Sequence, residues 1–381
     1  MKKVFIDSHN LITSLGSTSE ANFTALKNNR SGVLLHDRPD IDTSPFWASI
    51  VQEEQFKSIA DDIKNPAQYT RFEKLLIASI ADAVKNSNVD PSNSKTIFIF
   101  STTKGNIAEL ENMSDSTSKL NLAYSGKHVT AYFKNSNQPV IISNACISGI
   151  VALLYAQRLL QSGEYENAVV TGADTMSRFV FSGFKSFQAL SPTQCKPFSL
   201  NRDGINLGEA AATIVLTNVP EKLTQSEKIQ VNGGAICNDS NHISGPSRTG
   251  EELSHSINSA LQESGISSKE IDFVSAHGTA TIFNDEMEAK AFNLSHLQNV
   301  PVNSLKGYFG HTLGAAGLVE SIVSILSMQE GVLIPTMGFT ELGVSPSINI
   351  CNKKTEKEIN YCLKTASGFG GCNAAIVFSK S

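Results

Sequence analysis

The sequence predicts an α/β fold, on three observations. Short β-branched runs alternate with longer amphipathic ones, the apolar positions of the longer runs recur near helical spacing, and glycine closes the clearest of them. In order, residues 96–100 (Thr-Ile-Phe-Ile-Phe) and 140–142 read as buried strands. Residues 146–161 read as a helix, because Ile147, Ile150, Val151, Leu154 and the pair Leu159-Leu160 share one face, and Gly163 ends it. Residues 168–171 read as the next strand. A second series begins at the strand 228–232 and continues through a helix at 251–264, a strand at 271–275 and a helix at 314–328, ending in the strand 374–378. The two series meet near residues 219–226, which divides the chain into an N-terminal half, 1–225, and a C-terminal half, 226–381. The polar stretch 106–127 reads as a solvated surface segment in preference to an entrance cap or a subunit contact.

Composition narrows the function classes. The 381 residues are 40% hydrophobic and 18% charged, ordinary for a globular protein able to fold without staples. The six cysteines have no Cys-x-x-Cys spacing, so neither a disulfide frame nor a zinc site is indicated. A reducing cytoplasm is the expected compartment. No apolar run reaches the roughly 18 to 20 residues that span a bilayer, so no membrane role is expected. A net charge of −5 argues against nucleic-acid binding. It leaves room for an acidic protein partner on a local Lys/Arg patch.

Cys146 lies in Val140-Ile-Ile-Ser-Asn-Ala-Cys146-Ile-Ser-Gly, between a strand and a helix. A thiol at a helix N-terminus meets free N–H groups and the positive end of the dipole, which favour thiolate. Cys146 is therefore a candidate nucleophile, against the alternative of a buried structural cysteine. Two further segments carry suitable partners. Val274-Ser-Ala-His277-Gly-Thr279-Ala-Thr281 is a β-like run ending in histidine, and Lys306-Gly-Tyr-Phe-Gly-His311-Thr-Leu-Gly-Ala-Ala-Gly317 is a loop leading into a small-residue helix start.

Taken in order, these three elements resemble the β-ketoacyl synthases, the condensing enzymes of fatty-acid and polyketide synthesis. Lys196-Pro-Phe-Ser-Leu-Asn-Arg-Asp203-Gly and Ser367-Gly-Phe369-Gly-Gly-Cys372-Asn373 are similar to two more segments of that family. The N-terminal 130 residues match less distinctly. The resemblance implies a duplicated five-layer αβαβα thiolase-like fold, with the nucleophile on the first half and two histidines and a lysine on the second. It implies an elongating synthase in which Cys146 holds the acyl chain as a thioester and His277 and His311, as neutral donors, stabilise the enolate left when a malonyl thioester loses CO2. Lys306 would keep both imidazoles uncharged, with Glu288 as its acidic partner. The backbone N–H groups of Cys146 and Phe369 would form an oxyanion hole, and Phe369 would also gate the acyl pocket.

Thr279 and Thr281 match hydroxyls that contact a phosphopantetheine arm; the same hydroxyls could equally bond local backbone at a strand end. Asp285 has a family counterpart in a supporting role, and a turn-forming aspartate explains it nearly as well. The resemblance implies no metal and no bound cofactor, the phosphopantetheine arriving on an acyl carrier protein. It implies a homodimer or a heterodimer with a related subunit. Lys64, Arg71 and Lys196 are candidates for docking the carrier. The pathway is open between fatty acid, polyketide and aryl polyene. The rival reading is a non-catalytic subunit like the chain-length factors of two-subunit synthases, which characteristically lose the cysteine. Ser199 and Lys196 replace an Asp and an Arg, which weakens a pairing expected there. Cys372, in place of Thr, reads as a packing residue, and Ser367, in place of Phe, as a loosened pocket wall.

Overall fold

The structure, a computed structural model, describes the chain except for residues 1, 112–116, 225–226 and 242. The first half contributes β1 (Phe5–Ile12), α1 (Arg71–Lys85), β2 (Thr96–Ser101), β3 (Val140–Ile142), α2 (Ser148–Ser162), β4 (Asn167–Asp174), α3 (Arg178–Ser186) and β5 (Ala210–Thr217). The second contributes β6 (Ile229–Asn238), α4 (Glu251–Ser264), β7 (Phe273–Ser275), α5 (Ile282–Leu294), β8 (Pro301–Asn303), α6 (Ala316–Glu330), β9 (Tyr361–Gly368) and β10 (Cys372–Lys380).

Among the described residues one continuous sheet carries the order β1-β5-β4-β2-β3 in the first half and β6-β10-β9-β7-β8 in the second, one topology used twice, with a further short strand, Asn349–Ile350, parallel to β8 at the edge of the second half. In each half the first three neighbours pair antiparallel and the last two pairings are parallel. The halves join by a short antiparallel ladder, Phe5 with Gln230 and Ile6 with Ile229. Helices α2 and α6 pack on each other between the two halves of this sheet, α1 covers the outer face of the first half, and α4 with α5 the outer face of the second. Five layers result. The largest apolar cluster fills the middle layer, with Ile147, Leu153, Leu318, Ile322, Ile214 and Ile376 all buried.

Local chemistry sets the element ends. Thr70 and Glu73 form a reciprocal capping box that starts α1. Gly163 closes α2 at φ +80°, a left-handed position that glycine adopts without steric cost. Helix α2 begins at Ser148, two residues later than the sequence pattern suggests, because 146–147 form the turn that delivers the cysteine.

The stretch 106–127 differs from expectation. Asn106 is buried, and its amide donates to Glu73 Oε1, the Lys119 carbonyl and Ser125 Oγ. A helix, Leu122–Tyr132, follows with one face buried. The middle of the stretch lies outside the described residues, as does the expected boundary at 225/226. Among the described residues no helix is long and apolar enough to cross a membrane.

Candidate active site

Cys146 is delivered by a tight turn between β3 and α2. Ala145 sits at φ +44°, a left-handed conformation costly for a residue with a Cβ. The Ser148 hydroxyl secures it, donating to the Ala145 carbonyl at 2.6 Å and accepting from the Asn144 N–H at 2.8 Å. Opposite lies Gly368. A Cβ there would stand 3.0 Å from the Cys146 nitrogen and 2.9 Å from Cys372 Sγ. Glycine thus allows the chain leading to Phe369 to approach the cysteine backbone. Cys372 packs in the same crevice, buried, as a small filler.

His311 Nε2 lies 2.9 Å from Cys146 Sγ. The His311 backbone N–H donates to the Asn206 carbonyl at 2.7 Å, and its backbone carbonyl accepts from the Gly208 N–H at 2.9 Å, so a loop of the first half fixes a residue of the second. The His277 ring stands edge-on to His311, centroids 5.1 Å apart and planes at 83°. One ligand-type atom from each of Cys146, His277 and His311 falls within 4.8 Å of the others.

The carboxylate of Glu288 accepts from the N–H groups of His277 (2.8 Å) and Gly278 (2.6 Å). The expected pairing of Glu288 with Lys306 is therefore corrected: the Lys306 ammonium bonds Glu320, a carboxylate in the middle of α6. Glu288 is occupied by the backbone that presents His277, and it receives Asn284 and Thr365 as well. Asp285 likewise ties two loops together, accepting from Thr279 N–H at 3.0 Å and Phe198 N–H at 2.7 Å. Burial pushes its carboxyl up to about 7. Ser199 accepts from the Thr340 N–H at 2.9 Å, a neutral bond at the position where the sequence weakens the family's pairing.

Burial, reinforced by Lys306, holds both imidazoles well below the usual histidine range. They are neutral at physiological pH. Burial also pushes the Cys146 thiol up to about 12, outweighing the nearby Lys306 and Lys104 ammoniums. The expectation of a resting thiolate is corrected accordingly. The cysteine sits beneath Phe369 and behind its turn, and desolvation of the anion exceeds what the helix end supplies. A neutral thiol facing a neutral imidazole is the resting arrangement.

These groups form the floor of a cavity of about 330 Å³. Thr279 and Thr281 line it, their hydroxyls 2.8 Å apart. Phe369 stands at the mouth, 37% exposed, stacked on Phe184 at 5.8 Å and edge-on to Phe187 at 5.4 Å. Ser367 lines the wall, its hydroxyl donating to Asn373 Oδ1 at 2.8 Å. Cys146, His277, His311, Thr279, Thr281 and Phe369 thus share one cavity, while Lys306, Glu288 and Asp285 stand behind it. Of the docking candidates, Lys64 is exposed and Lys196 half-buried. Arg71 is consumed by Glu209, which it grips at 2.9 and 3.0 Å.

The thiol and the two imidazoles make a poor metal site. Their Sγ to Nε2 separation of 2.9 Å is shorter than the edge, about 3.5 Å, implied by zinc bond lengths. The neighbouring ammoniums also repel a cation. What the trio can do is hold an acyl group on sulfur and offer donors to an oxygen beside it. Two participants escaped the sequence reading. Glu320 carried a signal, a lone carboxylate inside the largely apolar run Gly317-Leu-Val-Glu320-Ser-Ile-Val-Ser-Ile-Leu; Lys364, fully buried in β9, showed only as the one charged residue of its strand.

Two family models match the chain, "Beta-ketoacyl synthase, N-terminal domain" over residues 12–222 and "Beta-ketoacyl synthase, C-terminal domain" over 229–340. The 3-oxoacyl-[acyl-carrier-protein] synthase 2 of Staphylococcus aureus (strain N315) is 26% identical, with 89% of each chain covered. Among solved structures, the ishigamide ketosynthase/chain length factor superposes with a TM-score of 0.91 at 24% identity, covering 100% of this chain and 99% of that one. A chain from the ketosynthase ApeO in complex with its chain length factor ApeC, from Xenorhabdus doucetiae, has a TM-score of 0.85 at 25% identity and coverage of 100% and 98%.

Proposed function

Because the chain belongs to the β-ketoacyl synthase family of carbon–carbon bond-forming acyltransferases, we propose that it condenses an acyl thioester with a malonyl thioester, both presented on the phosphopantetheine arm of an acyl carrier protein. The observation that carries this reading is the thiol of Cys146 at 2.9 Å from His311 Nε2, with His277 against the same imidazole.

The first half-reaction starts from the thiol. Its proton passes to His311 Nε2 as Sγ attacks the acyl carbonyl, and the carrier's thiol departs with that proton, leaving the acyl group on Cys146. A neutral imidazole is available for this because burial and Lys306 keep it unprotonated. In the second half-reaction the malonyl thioester loses CO2, and the electron pair left behind spreads onto the thioester oxygen. His277, and His311 once its ring proton has moved from Nδ1 to Nε2, stabilise that oxygen through their N–H groups. The carbanion then attacks the acyl carbonyl, and its oxyanion meets the N–H groups of Cys146 and Phe369. Collapse expels the Cys146 thiolate, which takes up a proton from solvent, the one proton that the decarboxylative condensation consumes.

Thr279 and Thr281 are assigned to the pantetheine arm, since their hydroxyls line the approach to the floor. Glu288 and Asp285 are assigned to holding the histidine loop. We assign residues 1–225 and 226–381 to two domains, the first supplying Cys146 and the second the histidines. The likeness to a ketosynthase bound to a chain length factor supports a two-subunit assembly, and the free cysteines suit a reducing cytoplasm. The chain-length-factor reading is disfavoured by the intact Cys146, His277 and His311. Mass spectrometry after incubation with acyl carrier protein tests the assignment. An acyl adduct on Cys146 is expected, and its absence with every chain length supplied would make this chain the shaping subunit.

A further inference from the structure

Lys364 is fully buried on β9, and its Nζ faces three acceptors: Glu320 Oε2 at 2.6 Å and the carbonyl oxygens of Ser275 and Ala276, each at 3.1 Å. None of the three can donate. An ammonium has three hydrogens to give, whereas a neutral amine has two and a lone pair that would be left against oxygen. The surroundings are therefore those of the charged form. Burial pulls the lysine down from its ordinary value, and Glu320 opposes that pull.

The other oxygen of Glu320 is taken by Lys306. One carboxylate thus serves two ammoniums, and the buried group carries a net positive charge where Lys306 and Glu320 alone would be neutral. Keeping an extra charge out of water is costly, yet nothing in the packing of β9 demands a lysine here. The two carbonyls that Lys364 binds belong to the residues immediately before His277.

We propose that Lys364 is a positioning residue of the condensation site, which turns the Lys306–Glu320 pair into a cationic triad and fixes the backbone entering His277. The proposal rests on the condensation reading for its purpose: the triad keeps the imidazoles uncharged and opposes the negative charge developing on the enolate. The charged and titratable groups around Cys146 and the two histidines are the ammoniums of Lys306, Lys364 and Lys104, the carboxylates of Glu320, Glu288 and Asp174, the thiol of Cys372, and the trio themselves. Of these charged groups only the ammoniums add to burial in keeping the imidazoles neutral, so removing one lowers that bias.

The test is an NMR titration of 13C-labelled histidine in the full-length protein, run beside malonyl-carrier decarboxylation. Lys364→Met should raise the midpoints of His277 and His311 by about one pH unit and lower kcat with little change in KM. Lys364→Met combined with Glu320→Gln leaves Lys306 as the one charge of the triad, and should bring both midpoints back down. Packing alone predicts no such return. Where Lys364→Met does not fold, Lys364→Gln serves the same titration while still donating to a carbonyl. A folded single variant with unmoved midpoints overturns the proposal, as does a double variant whose midpoints stay raised. Should the midpoints move as expected while the wild type decarboxylates no malonyl carrier, the triad stands and the condensation reading fails.

Discussion

Gly149 and Gly317 face each other where α2 crosses the start of α6: a Cβ on Gly149 would stand 3.1 Å from the Gly317 Cα and 2.8 Å from the Leu318 nitrogen. The converse holds too, since a Cβ on Gly317 would lie 2.6 Å from the Ile150 nitrogen. Cys146 is three residues before one glycine and His311 six before the other. Their separation is therefore set by how closely these two backbones approach. Gly149→Ala should destabilise the protein by about 1–3 kcal/mol, the usual range for overpacking. Chemical denaturation measures this, and an acylation rate that falls more than stability explains would show the cysteine displaced from the histidine. A neutral effect on both would mean the helices slide apart freely.

The two half-reactions should separate by mutation. Cys146→Gln removes the thioester site, so condensation stops, while its amide can occupy the acyl-thioester's place and leave the histidines intact. Decarboxylation of malonyl carrier should persist in that variant. His277→Ala and His311→Ala should each lower it by on the order of 10²-fold, the scale for losing one oxyanion donor. Release of labelled CO2 decides the matter, and equal loss in all three variants would sink the division of roles.

The pH dependence of Cys146 tests its resting state. Its native value lies near 12 against an ordinary 9, so the native state keeps its proton between those values while the unfolded state loses it. This group's contribution to stability is complete below pH 9 and is lost as pH rises towards 12. Alkylation by a small reagent should accelerate steadily with pH through 10. A plateau near neutrality would instead mean a preformed thiolate.

Phe369 should act as a gate. Its ring packs on Phe184 and Phe187 at the cavity mouth, so Phe369→Ala opens the entrance without removing the backbone N–H. Acyl loading should become faster and less selective for chain length. Unchanged rates and preferences would reduce the ring to packing.

Legibility in the sequence followed burial and polarity. Helix α4 was read at its observed limits and β3 likewise, because apolar periodicity there has no competitor. β1 was not recognised as a strand. Its centre, Asp7-Ser-His-Asn10, is polar yet bonded to distant parts of the chain: Ser8 donates to the Ala83 carbonyl at 2.7 Å, His9 Nδ1 meets Ser19 Oγ at 2.9 Å and Asp7 accepts from the Thr224 N–H at 2.9 Å. Partners 10 to over 200 residues away leave no local pattern. Cys146, His277, Thr279, Thr281, His311 and Phe369 could be singled out because each stands in a compact motif, whereas Phe184 and Phe187, which line the same cavity, carry no such pattern. Glu320 was not singled out, since its partner on Lys306 depends on how α6 is laid between the halves of the sheet, and Glu288 is the nearer acid in the motif that holds His277.

The ladder between β1 and β6 is two residue pairs long, while the longest ladder inside each half runs to eight pairs in the first and nine in the second. Each half of the sheet can therefore be assembled from its own segment before the other exists, with the joint closing last. Catalytic competence belongs to neither half, because Cys146 and His311 meet only once α2 and α6 have docked. In a refolding experiment the circular dichroism of the strands would then recover ahead of acylation activity, and the lag between them would time the docking of the two helices.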